Sequence, residues 1–468
     1  MDDFLREIQT SVFREWINNQ KRDYYHLHQS ETDPDAIIIE NEYCYSYVTF
    51  NPQCIIELCV MNKRTDEMAF YLHFQFKTLK HAISLFEEMD QCIKKMVDQP
   101  MCRLLLCCSG GMTTAFFADK IKNGIKVLNL NMEVAATSYQ KIYHVAQNYD
   151  VILLAPQVSY VKLQVEKVFK NKLVLKIPTQ IFASYNVGAL ITFVEESLKH
   201  KENKYNGYVE PLASMMEIKT NKHVLAVSIN ANGENSHISY RLYNSHQDIV
   251  LDSNIIKSNI KLQDVLDALD TVVLQNEMID VISIALPGVM VEGNVYSGII
   301  EGGNHQLKER LEKRYEKEIY LINDVNAAVV GYYASQNEYK SLAFLFQPIG
   351  RMAGSGIIVS GQLVRGMDHL AGEVALLPLN LSDAYLTLAN TPEGTLELVT
   401  KNIMSIIAIV APEAIVVYSD LILDSQDVSD EIKKSLSQYS LKVYPKIIKV
   451  ENILEYILLG AMILSAKE

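Results

Sequence analysis

The sequence predicts an α/β protein in three parts. These are an N-terminal α+β domain (residues 1–98), a doubly wound parallel four-stranded domain (101–200) and, past a linker (201–221), a large two-lobed domain (222–468). Three observations carry the prediction. Between Met101 and His200, apolar strand-like runs alternate with helix-like segments, the mark of a parallel sheet with helices on its faces. The chain has 468 residues, 49% hydrophobic and 21% charged, enough for several folded domains of about 100–200 residues each. Finally, two strand–glycine-turn–strand segments, Val224–Tyr243 and Leu342–Val364, lie about 120 residues apart and point to an internal duplication.

In the first domain, Phe4, Leu5, Ile8, Val12, Phe13 and Trp16 recur at helical spacing. A polar loop follows (19–35), then strand-like runs YCYSYVTF, CIIELCVM and MAFYLHFQF separated by turn-like NPQ and NKRTDE. LKHAISLFEEMDQCIKKM closes the domain as an amphipathic helix, and no helix-turn-helix is apparent. In the second domain the strands are MCRLLLCC, KVLNLNMEVAA, VILLAP and LVLKIP, and the helices are TTAFFADKIKNG, YQKIYHVAQN, VKLQVEKVFKN and VGALITFVEESLKH.

Composition removes several functions. A net charge of −13 with no basic arm argues against nucleic acid, whose phosphates need clustered Lys and Arg. MDDFLREIQT lacks the basic and apolar regions of a signal peptide. The longest apolar run, Tyr456–Ala466, is shorter than the roughly 20 residues that cross a bilayer. The expectation is a cytoplasmic protein without membrane insertion. Seven cysteines, all at or before position 108, are an odd set without a Cys-x-x-Cys pair, so thiols are expected rather than disulfides or a metal site.

One stretch carries chemistry of its own, CSGGMTTA from Cys108 to Ala115. A strand ends, a glycine loop follows and a helix begins. That arrangement points backbone N–H groups at one spot beside a helix N-terminus and favours an anion. Ser109, Gly110, Gly111, Met112, Thr113 and Thr114 would bind phosphate, and the same N–H groups would lower the pKa of Cys108 as a nucleophile. Cysteine-dependent phosphatases need an Arg six residues after the cysteine; here it is Thr114, so carrying a phosphate fits better than hydrolysing its ester. Cys107 points to the opposite strand face and reads as core.

These residues resemble enzyme IIB of the lactose/cellobiose type, from the bacterial phosphoenolpyruvate:sugar phosphotransferase system. Cys108, Gly111, Met112, Thr113 and Thr114 match its Cys-x-x-Gly-x-Ser/Thr-Thr/Ser-Ser loop, with Ala115 in place of a common Ser, and VILLAPQVSY resembles its later strand ending in Pro-Gln-Val. The resemblance implies a phosphocysteine at Cys108, charged by a histidine of a IIA partner. In that family the phosphate then passes to sugar in a membrane IIC protein, a part with no counterpart in this chain.

In the large domain, Asn323 and Asp324 stand at a strand end before an Ala-rich helix, Pro287-Gly288 forms a turn after another strand, and Glu373 sits in a small-residue turn. Such groups hydrogen-bond sugar hydroxyls, and a carboxylate there can act as general base. Together they resemble the ROK family of repressors and sugar kinases, with its actin-like, ribonuclease-H-like two-lobed fold. The matching motifs are Pro287-Gly288, Asn323–Ala328 and Ala371-Gly372-Glu373. The resemblance implies Asp324 as the kinase base and Asn323, Asp324 and Glu373 on the sugar.

The nucleotide-side motifs depart from that family. Its opening Asp-x-Gly-Gly-Thr is Asn230-Ala231-Asn232-Gly233-Glu234, where a Glu would repel ATP phosphates. Its second phosphate loop reads Gly350-Arg351-Met352-Ala353-Gly354-Ser355-Gly356, its adenine-side Gly-Gly is Tyr418-Ser419, and its zinc cysteines and following His (here Leu376) are absent. No cofactor is therefore expected with assurance, and ATP and Mg lose their handling motifs. The reading is a phosphotransferase-linked sensor or regulator that binds a sugar or sugar phosphate; the alternative is an active ATP-dependent ROK sugar kinase. The sequence leaves self-association open.

Overall fold

The computed structural model describes residues 3–63, 67–98, 102–109, 112–128, 130, 132–170, 172–199, 214, 221–232, 235–291, 294–296, 300–301, 306–367, 370–422, 424–437 and 444–466. Most of the expected linker lies outside these residues.

Helix α1 (Asp3–Asn18) is followed by an antiparallel meander of β1 (His26–Gln29), β2 (Ala36–Glu40), β3 (Cys44–Asn51), β4 (Ile55–Asn62) and β5 (Glu67–Gln75), then by α2 (Leu79–Asp98). β1 falls inside the expected polar loop and β2 follows directly after it. HLHQ shows no apolar alternation because it is an edge strand, largely exposed.

Next come β6 (Cys102–Cys108), α3 (Met112–Val127), β7 (Met132–Ser138), α4 (Ile142–Val145), β8 (Val151–Leu154), α5 (Lys162–Val168), β9 (Leu173–Lys176), α6 (Thr179–Ser184) and α7 (Val187–Lys199). The four strands form one parallel sheet in the order β7-β6-β8-β9. The second strand begins at Met132 rather than Lys126, because α3 continues through Val127. YQKIYHVAQN is a broken run, with one turn of α-helix between two 3-10 turns.

The remainder repeats one plan twice. The first lobe holds β10 (Val224–Asn232), β11 (Asn235–Tyr243), β12 (Ile249–Lys257), α8 (Leu262–Gln275), β14 (Val281–Leu286), α9 (Leu307–Tyr315), β18 (Glu318–Asn323) and α10 (Asp324–Ala334). Short strands β13 (Ile260–Lys261), β15 (Val289–Val291), β16 (Asn294–Tyr296) and β17 (Ile300–Glu301) form two small ribbons. The second lobe holds β19 (Leu342–Phe346), β20 (Gly354–Val359), β21 (Gln362–Leu363), α11 (Tyr385–Leu388), α12 (Pro392–Ile409), β22 (Ala414–Tyr418), α13 (Ser425–Ser437) and β23 (Lys446–Lys449). The orders β12-β11-β10-β14-β18 and β21-β20-β19-β22-β23 match, each with an antiparallel three-strand half and a parallel two-strand half.

The terminal helix α14 (Leu454–Ala466) is apolar nearly all round and correspondingly buried. It crosses α10 so closely that a side chain at Gly331 would strike Tyr456 O and one at Gly460 would strike Ala327 O. Together with both sheets these helices form one core between the lobes. β5 pairs with β12 at Tyr71–Ile256, so the N-terminal strands continue the first lobe's sheet to ten strands.

Candidate functional site

Cys108 ends β6, whose neighbours β7 and β8 lie on opposite sides. The crevice beyond the carboxyl end of such a strand is where open parallel sheets bind ligands. CRLLLCC is nearly continuous in apolar residues because a central parallel strand is covered on both faces. Cys107 is fully buried, and burial pushes its thiol up to about 12, which suits a core residue. Cys108 is 5% exposed, and its thiol donates to Thr137 O of β7 at 3.7 Å. Ser109 is exposed at the bend, and Met112, Thr113 and Thr114 form the first turn of α3; Gly110 and Gly111 lie outside the described residues. Pro156–Val161 makes a 3-10 turn after β8, tied to the strand before Cys108 by Ala155 N donating to Cys107 O at 2.9 Å. All seven cysteines are thiols.

The second site lies between the lobes. Asn323 caps α10: its Oδ1 accepts from Val325 N and Asn326 N at 3.0 Å each, and its Nδ2 donates to Gly288 O at 3.1 Å. The amide thereby ties the Pro287-Gly288 turn to the helix start. Asp324 is 7% exposed, and its Oδ1 accepts from Val325 N at 2.9 Å. Burial, with a smaller push from the charge of Glu373, raises Asp324 to about 6, against backbone N–H groups that favour the carboxylate. The two carboxyl groups belong to different lobes, and the charge of Glu373 is felt at Asp324. Glu373 is half-buried, and burial raises its pKa. Gly372, at φ +92°, sets its turn, since a side chain there would strike Ser355 O. Asn326 Oδ1, one turn along α10, is buried without a hydrogen-bond partner among the described residues.

The nucleotide-side segments are engaged in packing. A side chain at Gly356 would meet Val325 O at 2.6 Å, and one at Gly354 would meet Val325 Cγ2 at 3.1 Å, so both glycines serve the contact of β20 with α10. Tyr418 packs its ring against Phe346 at 5.4 Å between centroids. Ile349 and Leu421, close to these segments, pack into the core of residues 102–199, where Leu421 is 2% exposed. Gly233 and Glu234 lie outside the described residues. Among the described residues no group of three or more His, Cys, Asp and Glu gathers as a metal site, and no helix is long and apolar enough to cross a membrane.

Comparison with known proteins finds matches to two stretches of the chain. Residues 103–191 match the family model "PTS system, Lactose/Cellobiose specific IIB subunit", and residues 233–395 match the model of the ROK family. The chain carries a IIB domain and a ROK domain. The oligo-β-mannoside-specific EIIB component of Bacillus subtilis (strain 168) is 30% identical over 67 residues, 14% of this chain, which spans 65% of that relative's length. A ROK family protein from Streptococcus pneumoniae TIGR4, solved in complex with sucrose, is 19% identical, with coverage of 52% of this chain and 97% of that one and a TM-score of 0.41. The lactose-specific IIB domain structure from Streptococcus pneumoniae is 23% identical, with coverage of 20% and 96% and a TM-score of 0.19.

Sequence reasoning missed the residues that join the IIB domain to the second ROK lobe. The sequence places Tyr139 and His144 in one expected helix, YQKIYHVAQN, and gives Leu421 no role. In the fold, the Tyr139 hydroxyl donates to Glu393 Oε1 at 2.9 Å, and His144 Nδ1 lies 3.1 Å from Asn390 Oδ1.

Proposed function

We propose that this protein is a cytoplasmic regulator linked to the phosphotransferase system. A phosphorylated IIA partner charges Cys108, and the ROK domain binds a sugar or sugar phosphate through Asn323, Asp324 and Glu373. In the transfer the N–P bond of the donor histidine breaks, the S–P bond forms, and the thiol proton passes to the imidazole nitrogen. The observation that carries this reading is Cys108 at the carboxyl end of the central strand of a IIB-matching sheet, beside the start of α3. N–H groups at a helix N-terminus suit the phosphorylated product. The occupation of the nucleotide-side segments by packing supports a sugar-binding rather than a phosphorylating ROK domain.

The test is intact-mass measurement after incubation with phosphoenolpyruvate and the upstream phosphotransferase proteins. One phosphate on the wild type and none on Cys108→Ser is expected; a wild type that never gains phosphate rejects the reading.

A second reading, an ATP-dependent sugar kinase, draws on Asp324, a carboxyl that burial, with a smaller push from Glu373, raises to about 6, which suits a base near neutral pH. ATP-dependent phosphorylation of a hexose or disaccharide, abolished by Asp324→Asn, would establish it. The absence of any turnover or ATP-induced thermal shift counts against it.

A further inference from the structure

One of the side chains that join the IIB domain to the second lobe belongs to the residue that follows the strand partner of Cys108. In the β6–β7 ladder Cys108 pairs with Ser138, and Tyr139 follows directly. Its hydroxyl donates to Glu393 Oε1 at 2.9 Å, in the first turn of α12, and lies 3.4 Å from Gln164 Oε1 of its own domain. It thus has two acceptors, one in each domain. Its ring packs edge-on to Tyr143, with centroids 6.1 Å apart, and can stay there while the hydroxyl changes partner.

The seat continues from Glu393 toward the sugar-side residues. Asn390, held by His144, lies under the loop at Gly350, where an added side chain would meet Asn390 Oδ1 at 2.8 Å. Further along this loop Ala353 N donates to the Tyr385 hydroxyl at 3.2 Å. Two residues on, Ser355 N donates to Gly372 O at 3.0 Å, next to Glu373. An unbroken set of contacts therefore joins the end of β6 to the turn that presents Glu373.

We propose that Tyr139 is a charge-sensitive latch. With Cys108 unmodified, its hydroxyl holds Glu393 and seats the IIB domain on the second lobe; phosphate on Cys108 breaks that bond and loosens the seat. The inference rests on the phosphorylation proposed above. A phosphoryl group brings a charge of about −1.5 to −2 and three strong acceptor oxygens. Neighbouring strands lie about 4.8 Å apart, so the new charge arises at the strand end paired with Ser138, the residue before Tyr139. Like charge repels the Glu393 carboxylate, while the hydroxyl has one proton and a stronger acceptor close by.

Hydrogen–deuterium exchange on the full chain tests the latch in four forms: unmodified, enzymatically phosphorylated with intact mass as the check, Cys108→Glu, and Tyr139→Phe. Loss of one such hydrogen bond corresponds to roughly a tenfold change in local opening. Residues 139–145 and 386–396 should exchange about that much faster in the phosphorylated and Cys108→Glu forms, with residues 224–243 unchanged. Tyr139→Phe should exchange fast without phosphate and gain nothing from it. A chain that carries phosphate on Cys108 yet exchanges as before overturns the latch and leaves the proposed function standing. A chain that takes no phosphate rejects the proposed function instead, and unchanged exchange in Cys108→Glu and Tyr139→Phe then overturns the latch separately. If Cys108→Glu unfolds its domain, Tyr139→Phe decides.

Discussion

Residues 3–98 and 102–199 both rest on the two-lobed domain, the first on lobe one and the second on lobe two, through joints of different construction. At the first joint β5 pairs with β12, and one apolar core includes residues from Phe13 to Ile93 and from Leu225 to Ile319. Charges are buried in it: Lys257, with a side chain 3% exposed, lies 2.5 Å from both Glu88 Oε2 and Asp264 Oδ1. Lys77 lies 2.6 Å from Asp267 Oδ1 and 2.5 Å from Asp270 Oδ2. Among the described residues the second joint shares no strand; it has the side-chain contacts of Tyr139 and His144, an exposed ion pair and the apolar Ile349 and Leu421. Breaking one partner of a buried ion pair costs about 3–5 kcal/mol, whereas an exposed hydrogen bond or ion pair contributes about 1 kcal/mol or less. The first joint is built to persist and the second to open.

The largest effect should come from Lys257→Met, which leaves Glu88 and Asp264 facing each other at the first joint. A loss of about 3–5 kcal/mol is expected in denaturant unfolding, with early proteolysis within residues 3–98. A loss below about 1 kcal/mol would erase the contrast between the joints. Next is Leu421→Asp. Burying a leucine contributes about 1.5–3 kcal/mol, and a carboxylate in its place adds a desolvation cost. The IIB domain should separate from lobe two, read as a larger radius of gyration in solution scattering, with Cys108 still accepting phosphate. Unchanged scattering would mean that Leu421 does not hold the seat.

The sequence made parts of both regions readable for physical reasons. β6, β8 and β9 are short apolar runs because parallel strands covered on both faces need no polar positions. The strand end before the helix at Asn323 and the small-residue turn at Glu373 were legible because a helix cap and a glycine at positive φ are met by few residue types. Val127 and Leu128 misled: exposed at the end of α3, they look like the start of a strand. The ten-stranded sheet could not be read, since pairing Tyr71 with Ile256 leaves no local pattern in either segment. For the same reason Tyr139 read only as part of a helix, and nothing in the sequence singled out Asn390 or Leu421.

Acid should act on the first joint with a smaller effect. Burial works to raise Asp267 and Asp270, but His81 and Lys77 on the one and Arg314 and Lys77 on the other prevail and hold both carboxyls below the ordinary range. A depressed carboxylate stabilises the fold fully above its unfolded value, near about 4, and that contribution is lost as pH falls through the folded value. Exchange in residues 79–98 and 262–275 should therefore rise below about pH 4. Asp267→Asn should flatten this acid dependence and cost stability at neutral pH; an unaltered dependence would show that other groups carry it.

The smallest effect is expected from Lys170→Ala at the second joint. Lys170 Nζ lies 3.8 Å from Glu451 Oε2, with both side chains more than half exposed, and Glu451 is held more closely by Lys449 at 2.5 Å. Such a pair contributes about 0–0.5 kcal/mol and is screened by salt. The variant should leave scattering and exchange at residues 139–145 unchanged, and raised salt should leave the wild type equally closed. If either one opens the joint, long-range charge rather than Leu421 and the Tyr139 hydroxyl holds it. A phosphate on Cys108 would then act through the general field of the domain, and Tyr139→Phe should leave the response intact.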